Sequence, residues 1–327
     1  MKEGKIKDIF QSFNNKKVLI VGDSMIDAYM WGKIERMSPE APVSVVDIER
    51  HETRLGGAAN CALNIKALGA TPILCSVIGN DNNGIMFNKL MKKANLSTEG
   101  ILISDQRKTT VKTRIISENK HQLRVDEEDR HPITIEDKFL NTVEQLLAET
   151  SVIILQDYNK GVLTPKTIKE LIKKAKQLNI PIIVDPKKDN FLLYQDCDIF
   201  KPNLKEIKEG IEINFNDKND KELEKATSIL KDKLNASAIL LTLSERGICI
   251  NSDEGFVHTP AYGGPVVDVS GAGDTVISVA SLLLSSGLDS KNISKISCLS
   301  GGIVCQKVGV VPIDKLELLR ETIKIYS

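Results

Sequence analysis

No excess charge of either sign marks this chain of 327 residues, in which 44 Lys and Arg offset 44 Asp and Glu. Without a domain-wide basic field, nucleic acid and anionic membrane are not expected partners, and any anion must be held by a local site. No apolar run is long enough to span a bilayer, and residues 1–17 lack an apolar leader stretch, so a cytoplasmic protein is expected. The six cysteines (Cys61, Cys75, Cys197, Cys249, Cys298, Cys305) form no CxxC pair and read as reduced thiols, mostly core fillers. The four histidines (His51, His121, His131, His258) show neither HxxxH nor HxGH spacing, so a transition-metal site is not expected. Two phosphate-binding fingerprints are also missing. Val21-Gly22-Asp23-Ser24-Met25 lacks the second and third glycines of GxGxxG, which argues against an NAD-dependent oxidoreductase. No GxxxxGK[ST] loop occurs either.

What is present is alternation. Short, nearly continuous apolar runs at 18–21, 73–77, 152–155, 182–184, 199–200 and 239–243 have the character of parallel strands covered on both faces. Between them lie helical patterns at 58–68, 85–94, 135–148, 165–178 and 221–234. This order predicts a parallel sheet with helices on both sides and ligands at the carboxyl ends of the strands. Two stretches, 43–54 and 108–125, instead alternate polar and apolar residues, the period of strands with one wet face. They predict a small separate sheet acting as a lid, or else an antiparallel extension of the main sheet.

The densest chemical signal is Asp268-Val-Ser-Gly-Ala-Gly-Asp274-Thr275, immediately before an apolar helical stretch at 276–284. Gly271, Ala272 and Gly273 are small enough for backbone N–H groups to converge on an anion at a helix start. Asp274 would be a poor phosphate ligand but a suitable base for a hydroxyl beside that anion. The same octet also reads as a glycine-bearing helix cap. Asp23 and Asp27 follow the first strand, where carboxylates can accept from polyol hydroxyls or serve as loop acids. Gly56 and Gly57 allow close backbone approach, and Asn60 follows them with a donor and an acceptor. Further strand ends carry Gln156-Asp157-Tyr158-Asn159-Lys160-Gly161, Asp185-Pro186-Lys187-Lys188 and Lys201-Pro202-Asn203-Leu204-Lys205-Glu206. Asn203 and Glu206 have the spacing of a capping box, which is compatible with Glu206 orienting water around Mg²⁺. Thr242-Leu243-Ser244-Glu245-Arg246-Gly247 places hydroxyls and a glycine where nucleotide phosphates could pass.

Three of these elements, Gly56–Asn60, Asn203-x-x-Glu206 and Asp268–Asp274, occur in the order in which they occur in the PfkB/ribokinase-like family of sugar kinases, which the whole chain resembles. The resemblance implies a ribokinase-like three-layer α/β/α fold, with a mostly parallel central sheet and a small β-sheet lid. It implies one kinase domain over 1–327, with the lid formed by about 28–54 and 107–126. It also implies ATP and Mg²⁺ as cofactors, Asp274 as the base, and an anion hole of Gly271, Ala272 and Gly273. Nucleotide binding would fall to Asn203, Leu204, Lys205, Glu206, Thr242, Ser244, Glu245 and Gly247, with Glu206 reaching the metal through water. The acceptor sugar would be held by Asp23, Asp27, Gly56, Gly57, Asn60, Asp157 and Lys160.

Within the family the chain looks most like kinases of D-glycero-β-D-manno-heptose 7-phosphate, on Gly22–Asp27, Arg36–Val43, Asp157–Gly161 and Asp268–Ile277. That likeness implies phosphorylation of O1 to the 1,7-bisphosphate, a step toward ADP-heptose for lipopolysaccharide core. The 7-phosphate would need cations, with Arg36, Lys112, Arg114, Arg124, Lys160 and Lys187 as candidates. The chain has no HxGH, so a nucleotidyltransferase half is expected to be missing. Another sugar or nucleoside kinase of this fold (ribose, fructose, adenosine) and a non-catalytic sugar-binding relative are the alternatives. A homodimer through the lid is expected, because half-polar strands leave edges that need pairing.

Overall fold

The computed structural model describes residues 1–118 and 120–327; Asn119, inside the second expected lid segment, lies outside the described residues. The chain begins with α1 (Glu3–Ser12) and β1 (Lys17–Gly22), then β2 (Ser24–Met37) and β3 (Ser44–Gly57). Next come α2 (Ala58–Ala67), β4 (Thr71–Gly79), α3 (Asn82–Lys93), β5 (Ile101–Ser104), β6 (Val111–Ser117) and β7 (Lys120–Glu127). The middle holds α4 (Glu136–Leu146), β8 (Val152–Gln156), α5 (Pro165–Leu178), β9 (Ile182–Asp185), β10 (Ile199–Phe200), α6 (Leu204–Ile211) and α7 (Asp220–Leu234). It closes with β11 (Ala238–Thr242), β12 (Ile248–Ser252), β13 (Gly255–Thr259), α8 (Ala272–Ser285), α9 (Ser290–Val304) and α10 (Lys315–Tyr326).

Nine strands form the main sheet in the order β13-β12-β11-β10-β9-β8-β1-β4-β5. All its pairings are parallel except those of β12 and β13, a hairpin that continues the sheet antiparallel beyond β11. Alternate residues of the same strands feed two cores, as a sheet covered on both faces requires. Ile20, Ile154 and Leu240 pack with α1, α2, α8 and α9, whereas Leu19, Leu155 and Leu241 pack with α4, α5 and α7. Strand order diverges at β1, which pairs with β8 on one side and β4 on the other. That divergence opens a crevice at the carboxyl ends of β1 and β8, where open α/β sheets take ligands.

Local signals explain why the helices stand where they do. Thr164 accepts from the Thr167 N–H, Pro165 occupies the first turn of α5, and Asn179 ends it in a left-handed conformation. In α8, ten of its 14 residues are buried, so it is the inner helix of its layer rather than an amphipathic surface one. Its buried serines stay satisfied by bonding back along the helix, Ser278 Oγ to the Asp274 carbonyl at 2.6 Å and Ser281 Oγ to the Ser278 carbonyl at 2.8 Å.

The alternating segments form a separate four-stranded sheet, order β3-β2-β6-β7, not an extension of the main one. Its longest pairing, β2 with β3, runs from Ser24↔Gly57 to Met37↔Ser44. The sequence pattern did not reveal β2 as a strand, because the apolar run Ala28-Tyr29-Met30-Trp31 hides the two-residue period that Lys33-Ile34-Glu35 keeps. Thus Asp27 is a strand residue of the small sheet, and only Asp23 separates β2 from β1.

Gly22 ends β1 directly beside Gln156 of β8, and a Cβ there would lie 2.0 Å from the Gln156 carbonyl oxygen. Gly22→Ala is expected to lower unfolding free energy by about 1–3 kcal/mol through overpacking. Urea denaturation measures this; a variant with unchanged midpoint and slope would show that the strand crossing has slack.

Candidate active site

The first turn of α8 stands over the carboxyl ends of β8 and β9. Gly271 caps the helix at φ 78, and a side chain there would crowd Asn60 Nδ2 and Val310 Cγ1, each at 3.0 Å. Asp268 shapes the approach by accepting from Ser270 N–H at 2.9 Å and Gly309 N–H at 3.0 Å. Gly271 is thus the glycine cap that one sequence reading expected, without a side-chain capping bond, and the Ala272 N–H donates to the Val269 carbonyl at 3.3 Å.

Asp274 sits in that first turn and is 6% exposed. Its Oδ2 accepts from Asn60 Nδ2 at 2.7 Å. Its Oδ1 accepts from the Tyr158 hydroxyl at 2.7 Å and from Gln156 Nε2 at 3.2 Å. Burial pushes the carboxyl up to about 6; Asn60 and Tyr158 work against that rise, Asp185 adds to it and Lys201 opposes it. Gln156 Nε2 also donates to Asp185 Oδ2 at 3.1 Å, and Asp185 is ion-paired with buried Lys201 at 3.0 Å. A carboxylate, a cation and open space beside Gly273 thus adjoin one helix N-terminus; the nearest atoms to a Cβ at Gly273 would be Lys201 Nζ at 3.7 Å and Asp185 Oδ2 at 4.0 Å.

A cavity of about 680 Å³ opens from this point. Gly271, Ala272, Gly273 and Asp274 line it, together with Tyr158, Asp185, Lys187 and Lys201. Asn203, Thr242, Ser244, Glu245 and Gly247 line its far wall, so these five expected nucleotide residues come together. Asn203 and Thr242 are bridge partners, joining the start of α6 to the end of β11. Val266, Val269, Val276 and Cys298 supply an apolar flank.

Other expected residues have different tasks. Leu204 packs against the lower apolar core, and Lys205 points outward toward Glu209 at 3.8 Å, so neither lines the cavity. Glu206 closes a capping box with Asn203, accepting from its N–H at 2.9 Å, and pairs with Lys187. Asp23 is 1% exposed and accepts from the N–H groups of Tyr158 (2.8 Å), Lys160 (3.0 Å) and Val162 (3.0 Å). Burial nonetheless raises its pKa, with those N–H groups and Arg107 acting in the opposite direction. Asp157, pushed up to about 6 by burial and then by Asp23, is taken by Tyr194 Oη at 2.7 Å and Asn190 Nδ2 at 3.0 Å. Asp23 and Asp157 therefore brace the 157–162 loop instead of presenting carboxylates to a sugar. Lys160 is buried against Glu128 at 2.7 Å.

Gly56 and Gly57 seat the small sheet on the main one. A Cβ on Gly56 would meet Asp27 Oδ2 at 2.2 Å, and Gly57, at φ 59, lies against the Asp23 carbonyl. Asp27 pairs with Arg114 on the neighbouring strand at 2.5 Å. Lys112, one step along β6, holds its ammonium 5.5 Å from the Tyr158 ring centre. Among the described residues no carboxylate lies within ion-pairing distance of Lys112, and burial, with Lys160 nearby, pushes its pKa down. Of the other cation candidates, Arg114, Arg124, Lys160 and Lys187 are already paired, while Arg36 is exposed.

Sequence reasoning did not commit to Tyr158, Gln156, Asp185 or Lys201 as site residues. Their one available signal was position, at the carboxyl ends of the adjacent strands β8, β9 and β10.

The family model described as pfkB family carbohydrate kinase matches residues 15–316. The chain is 36% identical over 324 residues to the bifunctional protein HldE of Geotalea uraniireducens, covering 98% of this chain and 66% of that protein. It is 40% identical over 305 residues to bifunctional protein HldE of Campylobacter jejuni, covering 93% of this chain and 64% of that one. The chain thus spans just under two thirds of the length of these relatives. Among solved structures, phosphofructokinase-2 from Escherichia coli in complex with potassium superposes with a TM-score of 0.77 at 17% identity, over 95% of this chain and 98% of the other. Arabidopsis thaliana ribokinase complexed with ribose and ATP gives 0.72 at 15% identity, over 93% and 98%. These last two likenesses speak to the fold, which is ribokinase-like as expected.

Asp23→Ala would strand two buried N–H donors, of Lys160 and Val162, at about 1–3 kcal/mol each, and the part-buried one of Tyr158. Chemical denaturation is expected to show a loss of several kcal/mol, as an order of magnitude. A loss confined to acceptor affinity, with stability intact, would return Asp23 to the sugar site.

Proposed function

We propose that this chain, which belongs to the pfkB family of carbohydrate kinases and is therefore a phosphotransferase with a sugar as acceptor, phosphorylates the O1 hydroxyl of D-glycero-β-D-manno-heptose 7-phosphate at the expense of ATP. The observation that carries the reading is Asp274, held by hydrogen bonds from Asn60 and Tyr158 in the wall of the cavity. The segments Gly22–Asp27, Arg36–Val43 and Asp157–Gly161, with the likeness to proteins named HldE, support the heptose phosphate. Lys112 supports a phosphorylated acceptor, being a half-buried cation without an ion-pair partner among the described residues.

The chain's own chemistry follows from the donors. Oδ1 of Asp274 already accepts two hydrogen bonds, so the acceptor's O–H is received at Oδ2 beside Asn60. Among the described residues the buried Asn60 Oδ1 has no hydrogen-bond partner, and it can accept from a neighbouring sugar hydroxyl. As the proton passes to Asp274, the acceptor oxygen bonds the terminal phosphorus and ADP leaves with the electrons of the broken P–O bond. Main-chain N–H groups at 271–273, with Lys201 and Lys187, offset the charge that develops there.

Among the described residues no group of three or more His, Cys, Asp or Glu could hold a metal ion. That donor set fits Mg²⁺ carried chiefly by nucleotide phosphates and water; Asp185 lines the cavity, and Glu206, bonded to Lys187 and the Asn203 N–H, would reach the ion only through water. The ion would supply charge neutralisation on the phosphates. The chain acts as one kinase unit, with β2, β3, β6 and β7 as a lid over the acceptor. Leu123 and Val125 of β7 are 58% and 45% exposed, which supports a homodimer paired through the lid.

Turnover with heptose 7-phosphate, ribose, fructose and adenosine tests the substrate, with the new phosphate expected at O1 of the heptose; preference for a neutral sugar would redirect it. Asp274→Asn is expected to cut kcat by roughly a hundredfold to ten-thousandfold while nucleotide binding persists; near-normal turnover would remove the base. Lys112→Met is expected to raise KM for the phosphorylated acceptor roughly tenfold to a hundredfold without altering KM for ATP. An equal rise for both substrates would argue against a phosphate contact.

A further inference from the structure

We infer that Tyr158 is a positioning residue for the proposed base: its hydroxyl occupies Oδ1 of Asp274 and so directs the acceptor's proton to Oδ2. This rests on the reading of Asp274 as the base and deepens it.

The loop that carries the phenol is held far more firmly than a surface connection requires. Asp23 accepts from the main-chain N–H of Tyr158 itself and of two residues that follow. Asn159 and Gly161 take left-handed conformations at φ 55 and φ 86, and a Cβ on Gly161 would lie 2.0 Å from the His131 carbonyl oxygen. Asp157, on the other side, is fastened by Tyr194 and Asn190. Two ammonium groups approach the ring, Lys112 at 5.5 Å and Lys187 at 5.7 Å from its centre. Among the described residues its hydroxyl makes one hydrogen bond, to Asp274 at 2.7 Å. A tyrosine whose loop is anchored through Asp23 and Asp157, with its hydroxyl on one carboxylate oxygen, is placed to act on that carboxylate.

The consequence is chemical as well as geometric. A donor to a carboxylate favours its ionised form, the form a base needs. The groups facing Asp274 from the packed elements are Asn60 and Cys61 of α2, Gln156 at the end of β8 and Tyr158 after it, Asp185 at the end of β9 and Lys187 after it, and Lys201 after β10. Asp185 opposes ionisation and Lys201 favours it, while Asn60 and Tyr158 supply the two shortest hydrogen bonds. Removing one of those two leaves the carboxylate buried with a weaker claim to its charge.

The test is kcat/KM against pH, from 5 to 9, for the wild type, Tyr158→Phe, Gln156→Leu and Asp274→Asn. The wild type is expected to lose activity as pH falls through about 6, where Asp274 takes up its proton. In Tyr158→Phe that acid limb is expected to move up by about one to two pH units, the size of one hydrogen bond to a charged group. The deficit at pH 6 is then roughly fivefold to fiftyfold and closes near pH 9. Gln156→Leu, lacking the longer donor, is expected to move the limb the same way by less. Binding of a non-hydrolysable ATP analogue at pH 8 is expected to match wild type in Tyr158→Phe and confirms the fold. A phenylalanine variant with a deficit equal at every pH, with no deficit, or with no analogue binding overturns the tyrosine's role and leaves the base standing. A wild type without an acid limb, or an Asp274→Asn enzyme at full rate, overturns the base reading and the tyrosine's role together.

Discussion

A carboxylate can remain charged inside a protein only if enough donors converge on it, and Asp274 is the place where this chain meets that demand. Its donors come from α2 (Asn60) and from the end of β8 and the loop beyond it (Gln156, Tyr158), while the charged pair Asp185–Lys201 lies just beyond. Each of those side chains is in turn fixed by something else. Asn60 depends on the seating of Gly56 and Gly57, and Tyr158 depends on Asp23. The architecture of the crevice follows from satisfying one buried acid.

The small sheet is tied to the same point. Asp27 pairs with Arg114, whose guanidinium lies 5.3 Å from the Tyr29 ring centre, and Arg54 lies at the same distance from that ring. Arg54 Nη1 donates to the Val310 carbonyl at 3.0 Å, and the neighbouring Gly309 N–H donates to Asp268. A continuous set of contacts therefore runs from the base of the small sheet to the residues that shape the start of α8. Partly buried arginines serve this purpose well, since a planar guanidinium can stack on a ring and hydrogen-bond at its edge.

Much of this was legible from the linear pattern. Continuous apolar runs marked β1, β4, β8, β9, β10 and β11, and the glycine-rich octet located the start of α8. The far wall of the cavity came together from Asn203, Thr242, Ser244, Glu245 and Gly247 as expected. Strand β2 stayed hidden because the continuous apolar run Ala28–Trp31 masks its alternation, and the hairpin β12–β13 because its short strands carry no run that separates them from loop. Asp23 and Asp157 were misjudged for a different reason. A carboxylate after a strand end looks the same in sequence whether it faces a cavity or its own backbone.

The sequence by itself determined the family, the order of strands and helices, and the backbone freedom at Gly56, Gly57, Gly271 and Gly273, because periodicity and small residues act over a few positions. Only the tertiary structure decided which acids are braces and which one is poised for chemistry. Asn60 and Asp274 are 214 residues apart, and Asp23 reaches an amide 139 residues away. Burial and hydrogen-bond partners arise from such distant contacts, and they set what an ionisable side chain can do.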